Sequence, residues 1–187
     1  MSEIKHIISD LDGTLVDTFE ANYAAYKEVL AEYGFTLTRD AYRALFGQRL
    51  DGLLASLDAE RLLPHVVSIK AQKAECYPRH FNLLRLNESL AGFYRMFISM
   101  GGHLALSSTA SATNVANVLQ SVGCEKLFEY VVTGETVKMG KPAPDCYLAV
   151  AEHWKVEPKH ILVFEDSNIG IQAAINAGMH VIHVGRL

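Results

Sequence analysis

The sequence predicts a doubly wound α/β fold with a second, helical subdomain inserted after the first strand. Three observations predict it. Five short runs rich in Ile, Val and Leu, at 6–11, 103–107, 130–133, 160–164 and 180–184, are nearly continuous rather than alternating. That is the pattern of parallel strands covered on both faces. Helical patterns at 90–100, 111–122, 144–154 and 168–177 each precede one of the last four runs, punctuated by Gly123, Gly140 and Gly178. Strand alternating with helix implies right-handed crossovers and one parallel sheet. Thirdly, residues 18–85 hold no convincing strand and are too long for a plain crossover.

The elements fall into order from there. A core of residues 1–17 and 86–187 carries a five-stranded, Rossmann-like sheet, and 18–85 form a helical cap. Within the cap, Tyr23, Tyr26, Leu30 and Tyr33 recur at helical spacing, as do Leu62, Val66, Ile69 and Lys73. Ligands of open α/β sheets bind at the carboxyl ends of the strands, so an insertion there reads as a lid.

Bulk properties narrow the function. Of 187 residues half are hydrophobic, enough for one full core, and the net charge of −4 has no basic block to suit nucleic acid or a membrane surface. The start of the chain lacks signal-peptide character, no apolar run reaches the roughly 20 residues of a spanning helix, and the three cysteines are scattered. A cytoplasmic protein is expected, monomeric or weakly dimeric, with the sequon Asn87-Glu88-Ser89 silent. The eight histidines form no metal-spaced pair with one another, and those in the strands, His183 included, are expected to lie away from the catalytic edge.

The strand ends carry the chemistry. The first leads into Asp10-Leu11-Asp12-Gly13-Thr14. Carboxylates at i and i+2 of an extended chain point the same way, and Gly13 lets the chain turn and a ligand approach the backbone. The second ends in Ser107-Ser108-Thr109, hydroxyls able to bind phosphate oxygens. Gly140-Lys141-Pro142 follows the third, and Glu165-Asp166 ends the fourth. Gly134 and Gly140-Lys141 do not make a P-loop, because the spacing is one residue too long and Pro142 replaces the hydroxyl residue.

Several carboxylates at one edge repel unless a cation joins them, and a hard oxygen set favours Mg²⁺. The carboxylates at that edge are Asp10, Asp12, Glu165 and Asp166. Asp10 is the candidate nucleophile and Asp12 the acid/base, while Ser108 and Lys141 neutralise and orient a phosphoryl group. Gly13, Thr14 and Thr109 complete the phosphate-binding side. A small phosphorylated metabolite is the expected partner.

Asp10-Leu11-Asp12-Gly13-Thr14, Ser108, Gly140 through Asp145 and Phe164-Glu165-Asp166-Ser167 together resemble the four motifs of the haloacid-dehalogenase-like hydrolases. The run from Glu165 to Ala174 resembles their β-phosphoglucomutase-like subgroup with a helical cap. Length and tail are similar to short bacterial sugar phosphatases acting on fructose 1-phosphate. The resemblance implies a phosphatase working through an aspartyl-phosphate, with Mg²⁺ on Asp10, the Asp12 carbonyl, Asp166 and Glu165. It also implies that Arg49 and Lys73 are substrate-contacting bases of the cap. Two departures stand out. Asn87-Glu88-Ser89 replaces a Pro-Gly turn, which is expected to alter only a connection, and the sequence ends just after the fifth strand, which is expected to leave one flank of the sheet thinly covered.

Related mutases carry a cap histidine shortly after the first motif, and the corresponding position here is Asn22. A phosphosugar mutase is the near alternative. A phospho-acceptor signalling module fits less well, since it needs neither Asp12 nor a cap, and a scaffold with a dead site would not keep every catalytic group.

Overall fold

The computed structural model describes residues 4–46 and 50–185. The chain forms two compact units, Met1–Asp17 with Arg85–Leu187, and Thr18–Leu84.

The first unit holds a parallel sheet of β1 (His6–Ser9), β4 (His103–Ser107), β5 (Tyr130–Val132), β6 (Ile161–Glu165) and β7 (His180–His183), and an antiparallel ribbon of β2 (Val16–Asp17) and β3 (Arg85–Leu86). The sheet order is β5-β4-β1-β6-β7. From β1 the chain steps out to β4 and β5, then returns to β6 and β7 on the other side. The order therefore reverses beside β1, where open α/β sheets form their crevice. Register sets Ile8 beside Ala105 on one side and Val163 on the other.

Side chains alternate across a strand, so Ile8, Ala105, Val132 and Val163 share one face. They pack with Cys146, Tyr147 and Val150 of α7 (Asp145–Trp154) and Ala173 and Ala174 of α8 (Asn168–Asn176). Phe164 turns to the opposite face, its ring 5.7 Å from Phe93 and 5.6 Å from Tyr94 of α5 (Glu88–Ser99). A further helix of this unit, α6 (Ala112–Ser121), buries Val115, Val118 and Leu119.

The boundaries depart from the expected ones in instructive places. β1 ends at Ser9 rather than residue 11, because the chain folds back at once: the Leu15 and Val16 amides both donate to the Leu11 carbonyl. The ribbon β2–β3 went unforeseen, since two residues per strand carry no readable period. Asn87 is more than a substituted connection. Its side chain accepts from the Leu90 amide at 3.1 Å and so caps α5, and its Nδ2 donates to the Thr14 carbonyl at 3.3 Å.

The second unit contains α1 (Phe19–Glu32), α2 (Arg39–Leu45), α3 (Leu50–Ser56) and α4 (Val66–Cys76), with 3₁₀ turns at Glu60–His65 and Tyr77–Leu83. The buried stripe of α1 is Ala21, Ala25, Val29 and Leu30. The tyrosines expected to mark its face lie on the edge, where Tyr23 and Tyr26 ring Tyr42 at 6.0 and 5.8 Å. Pro64 splits the helical pattern at 62–73 into a 3₁₀ turn and α4. No helix among the described residues is long and apolar enough to cross a membrane.

Candidate active site

Asp10 follows β1 directly, and its amide donates to the Phe164 carbonyl at 2.9 Å, which continues the sheet by one step. That bond brings Asp10 alongside the end of β6, where Glu165 and Asp166 lie. Oxygens of Asp10, Glu165 and Asp166 all fall within 4.8 Å of one another, and all three residues are buried.

Lys141 joins two of them. Its Nζ lies 2.6 Å from Asp10 Oδ1 and 2.6 Å from Glu165 Oε2, with the Ser107 carbonyl at 3.5 Å. The three side chains are 4%, 9% and 1% exposed, so their charges act with little water between them. The lysine sits in a turn and its peptide bond to Pro142 is cis.

Glu165 is the most constrained acid. Besides Lys141, Oε2 accepts from the Tyr147 hydroxyl at 2.7 Å, and Oε1 accepts from the Ser167 amide at 3.0 Å and its hydroxyl at 2.8 Å. Ser167 also caps α8 by accepting from the Gly170 amide at 3.1 Å. Neither Tyr147 nor Ser167 was among the expected site residues. Ser167 had a signal, a serine three residues before a glycine at a helix start, whereas Tyr147 reads as a core aromatic.

These contacts split the acids electrostatically. Burial raises Asp10 well above the usual carboxylate range; the neighbouring Glu165 charge adds to the rise, and Lys141 offsets only part of it. Burial also acts to raise Glu165, but the Lys141 charge and the donors on its oxygens outweigh it and hold the group below the usual range. Lys141 is itself opposed by burial, yet Asp10, Tyr147 and Glu165 raise it well above the ordinary lysine value. One cation shared by this set leaves the site short of positive charge.

Asp12 lies on the other side of the turn. Its Oδ2 accepts from the Ser108 hydroxyl at 3.1 Å, and Ser108 Oγ in turn accepts from the Ala110 amide at 3.1 Å. The Ser108 amide donates to Val132 of β5, which fixes the loop after β4. Lys141 and Ser108, the two expected phosphate ligands, each bond a carboxylate here, Lys141 to Asp10 and Ser108 to Asp12. Gly13 makes the turn at 11–16 with φ +98°, and a Cβ there would come within 2.5 Å of Asp166 Oδ2. Thr14 Oγ1 donates to Asp166 Oδ1 at 3.3 Å, while Thr109 is exposed.

His183 corrects an expectation. It ends β7 at the carboxyl edge, and its Nε2 stands 3.2 Å from the Asp166 carbonyl oxygen. Arg49 lies outside the described residues. Lys73 is buried in the helical unit, 2.7 Å from Asn22 Oδ1 and 3.6 Å from the centre of the Tyr77 ring.

Acids clustered after β1 and β6, a lysine bridging two of them, and a hydroxyl loop after β4 define a phosphoryl-transfer type of site on this fold. Residues 7–184 match the family described as haloacid dehalogenase-like hydrolase, and the chain belongs to it. It is 33% identical over 179 residues to the phosphorylated carbohydrates phosphatase of Thermotoga maritima, covering 95% of this chain and 83% of that protein. Fructose-1-phosphate phosphatase YqaB of Escherichia coli is 32% identical over 190 residues, 95% of each. Among solved structures, CbbY from Rhodobacter sphaeroides in complex with phosphate superposes with a TM-score of 0.87 at 26% identity, over 99% of this chain and 88% of that one.

Proposed function

We propose that this protein is a Mg²⁺-dependent phosphatase of small phosphorylated metabolites, sugar phosphates such as fructose 1-phosphate in particular, acting through an aspartyl-phosphate on Asp10. The observation that carries the reading is the buried Asp10 carboxylate, bonded to Lys141 at 2.6 Å beside two further acids. The phosphatase relatives support the reaction class.

The residues fit a hard divalent ion. Three buried carboxylates with oxygens inside 4.8 Å form an all-oxygen donor set. Asp10, Glu165 and Asp166 would hold Mg²⁺, with the Asp12 carbonyl. When bound, Mg²⁺ neutralises charge on the transferring phosphoryl oxygens.

The chain's own residues do the rest. An Asp10 oxygen attacks phosphorus while Asp12, as general acid, gives a proton to the leaving sugar oxygen as the phosphorus–oxygen bond breaks. Asp12, now a carboxylate, takes a proton from water. That water attacks phosphorus, the bond to Asp10 breaks, and orthophosphate leaves with both acids restored. Ser108, turned from Asp12, and Lys141 stabilise the phosphoryl oxygens, with Gly13, Thr14 and Thr109 lining that side. Lys73 and Arg49 are the candidate residues of the inserted segment for substrate choice.

Asn22 favours hydrolysis over a mutase reaction. Its amide nitrogen donates to the Thr18 carbonyl and the Tyr77 hydroxyl, and its oxygen accepts from Lys73. A group that does not titrate near neutral pH cannot gate the intermediate against water as a histidine does.

The test is phosphate release from a panel of phosphorylated metabolites, with Mg²⁺ and with chelator. Release from sugar phosphates that stops in chelator is expected. Failure to release phosphate from any monoester would overturn the reading, and conversion of hexose 1-phosphate to 6-phosphate without release would establish the mutase.

A further inference from the structure

We propose a second metal site, for Zn²⁺ or a similarly soft divalent ion, formed by Glu28, Cys76 and His80 in the helical unit. Glu28 belongs to α1, Cys76 ends α4, and His80 lies in the 3₁₀ turn Tyr77–Leu83 that follows. Among the described residues, this trio and the Asp10 cluster are the groups whose ligand atoms converge within 4.8 Å.

The spacings suit tetrahedral zinc. Cys76 Sγ lies 3.5 Å from His80 Nε2, and His80 Nε2 lies 3.1 Å from Glu28 Oε2. Zinc with sulfur at about 2.3 Å and nitrogen at about 2.0–2.1 Å sets those atoms about 3.5–3.6 Å apart at the tetrahedral angle, and nitrogen and oxygen about 3.3–3.4 Å apart. These two spacings need a shift of only a few tenths of an ångström to close on an ion, and the Cys76 and Glu28 ligand atoms lie within 4.8 Å of each other.

The surroundings support the set. Arg79 Nη2 holds the other Glu28 oxygen at 2.8 Å, which orients the carboxylate as outer-shell partners of metal ligands do. Cys76 is buried, while the Glu28 and His80 side chains are 40% and 23% exposed, so an ion could keep water as its fourth ligand. The chemistry differs from that of the catalytic cluster. Thiolate and imidazole select zinc or cobalt, whereas three carboxylates select magnesium. Binding would release the thiol proton and tie α1 to the end of α4, clamping the helical unit. Cys76 and His80 stand four apart, a pairing that three scattered cysteines and eight histidines conceal in the sequence.

The test uses the whole chain, chelator-treated and titrated with Co²⁺ under anaerobic conditions in saturating Mg²⁺. The expected result is a thiolate-to-cobalt charge-transfer band with tetrahedral visible bands, saturating at one equivalent and bleached by Zn²⁺. An all-carboxylate site cannot give that band, so the readout is independent of phosphatase activity. Cys76→Ser should abolish the band. His80→Ala and Glu28→Gln, at partly exposed side chains, should keep the fold by circular dichroism. Each should weaken binding by no less than the roughly 10–100-fold that outer-shell changes cost. No band in the wild type, a band surviving Cys76→Ser, or unaltered titrations of the His80 and Glu28 variants would each overturn the site; should Cys76→Ser fail to fold, the latter pair decides.

Discussion

Asp10, the proposed nucleophile, sets chemistry against stability. Asp10→Asn keeps the shape but removes the attacking carboxylate of that proposal, so phosphate release should fall below about a thousandth of wild type, as expected when a covalent step is lost. Stability should move the other way. Because burial raises the folded pKa of Asp10, the native state without metal holds that proton more tightly than the unfolded chain. Its stability therefore falls as pH rises from the ordinary carboxylate range through the folded value. In chelator at neutral pH, Asp10→Asn should melt higher than wild type. The gap should close as pH drops to the carboxylate range, and also on adding Mg²⁺ to both. Thermal melts across pH check this; a variant that melts lower throughout would contradict it. Tyr147→Phe probes the partner acid. It removes one donor from a charged group, bonded at 2.7 Å, so a loss of about 1.5–3 kcal/mol is expected in denaturant unfolding.

Single elements explain what was legible in the sequence and what was not. β4 and β6 were visible because continuous apolar runs are the direct signature of strands buried on both faces, and the run of β7 reads the same although that edge strand is largely exposed. The acids Glu165 and Asp166 at the end of β6 were visible because charge stands out after such a run. Tyr147 was hidden, since its ring belongs to the core below the sheet and only its hydroxyl reaches Glu165. The contacts of Lys141 were hidden too, because they depend on where β1 stops, which hydrogen bonds of the turn at 11–16 decide. Asn87 was misread as a mere linker. As the cap of α5 and a tether to Thr14, it has two separable roles. Asn87→Ala should cost about 0.5–2 kcal/mol, the usual loss of an N-cap. Asn87→Ser keeps a good cap but loses the reach to Thr14, so its melting temperature should recover while its turnover stays below wild type. Equal turnover for Asn87→Ser and wild type would show that the tether has no part in catalysis.

At the scale of the whole molecule, the helical unit leaves and rejoins the core at one place. Asp17 and Arg85 are register partners in the β2–β3 ribbon, so the inserted segment closes on itself at its base. Replacing residues 18–84 with a two-residue Asn-Gly turn completes an ordinary hairpin and should leave a folded core. That truncated protein should still cleave para-nitrophenyl phosphate and lose preference among sugar phosphates, if the unit selects substrate as proposed. An unfolded product would show that the core depends on its insertion. The same topology orders events during synthesis. β1 leaves the ribosome first, but its two neighbours are β4 and β6, and the second of these begins only at Ile161. The helical unit is contiguous and complete by Leu84. It can fold while the nascent central strand has no partner, and the clustered acids that follow β1 and end β6 meet only after most of the chain has been made.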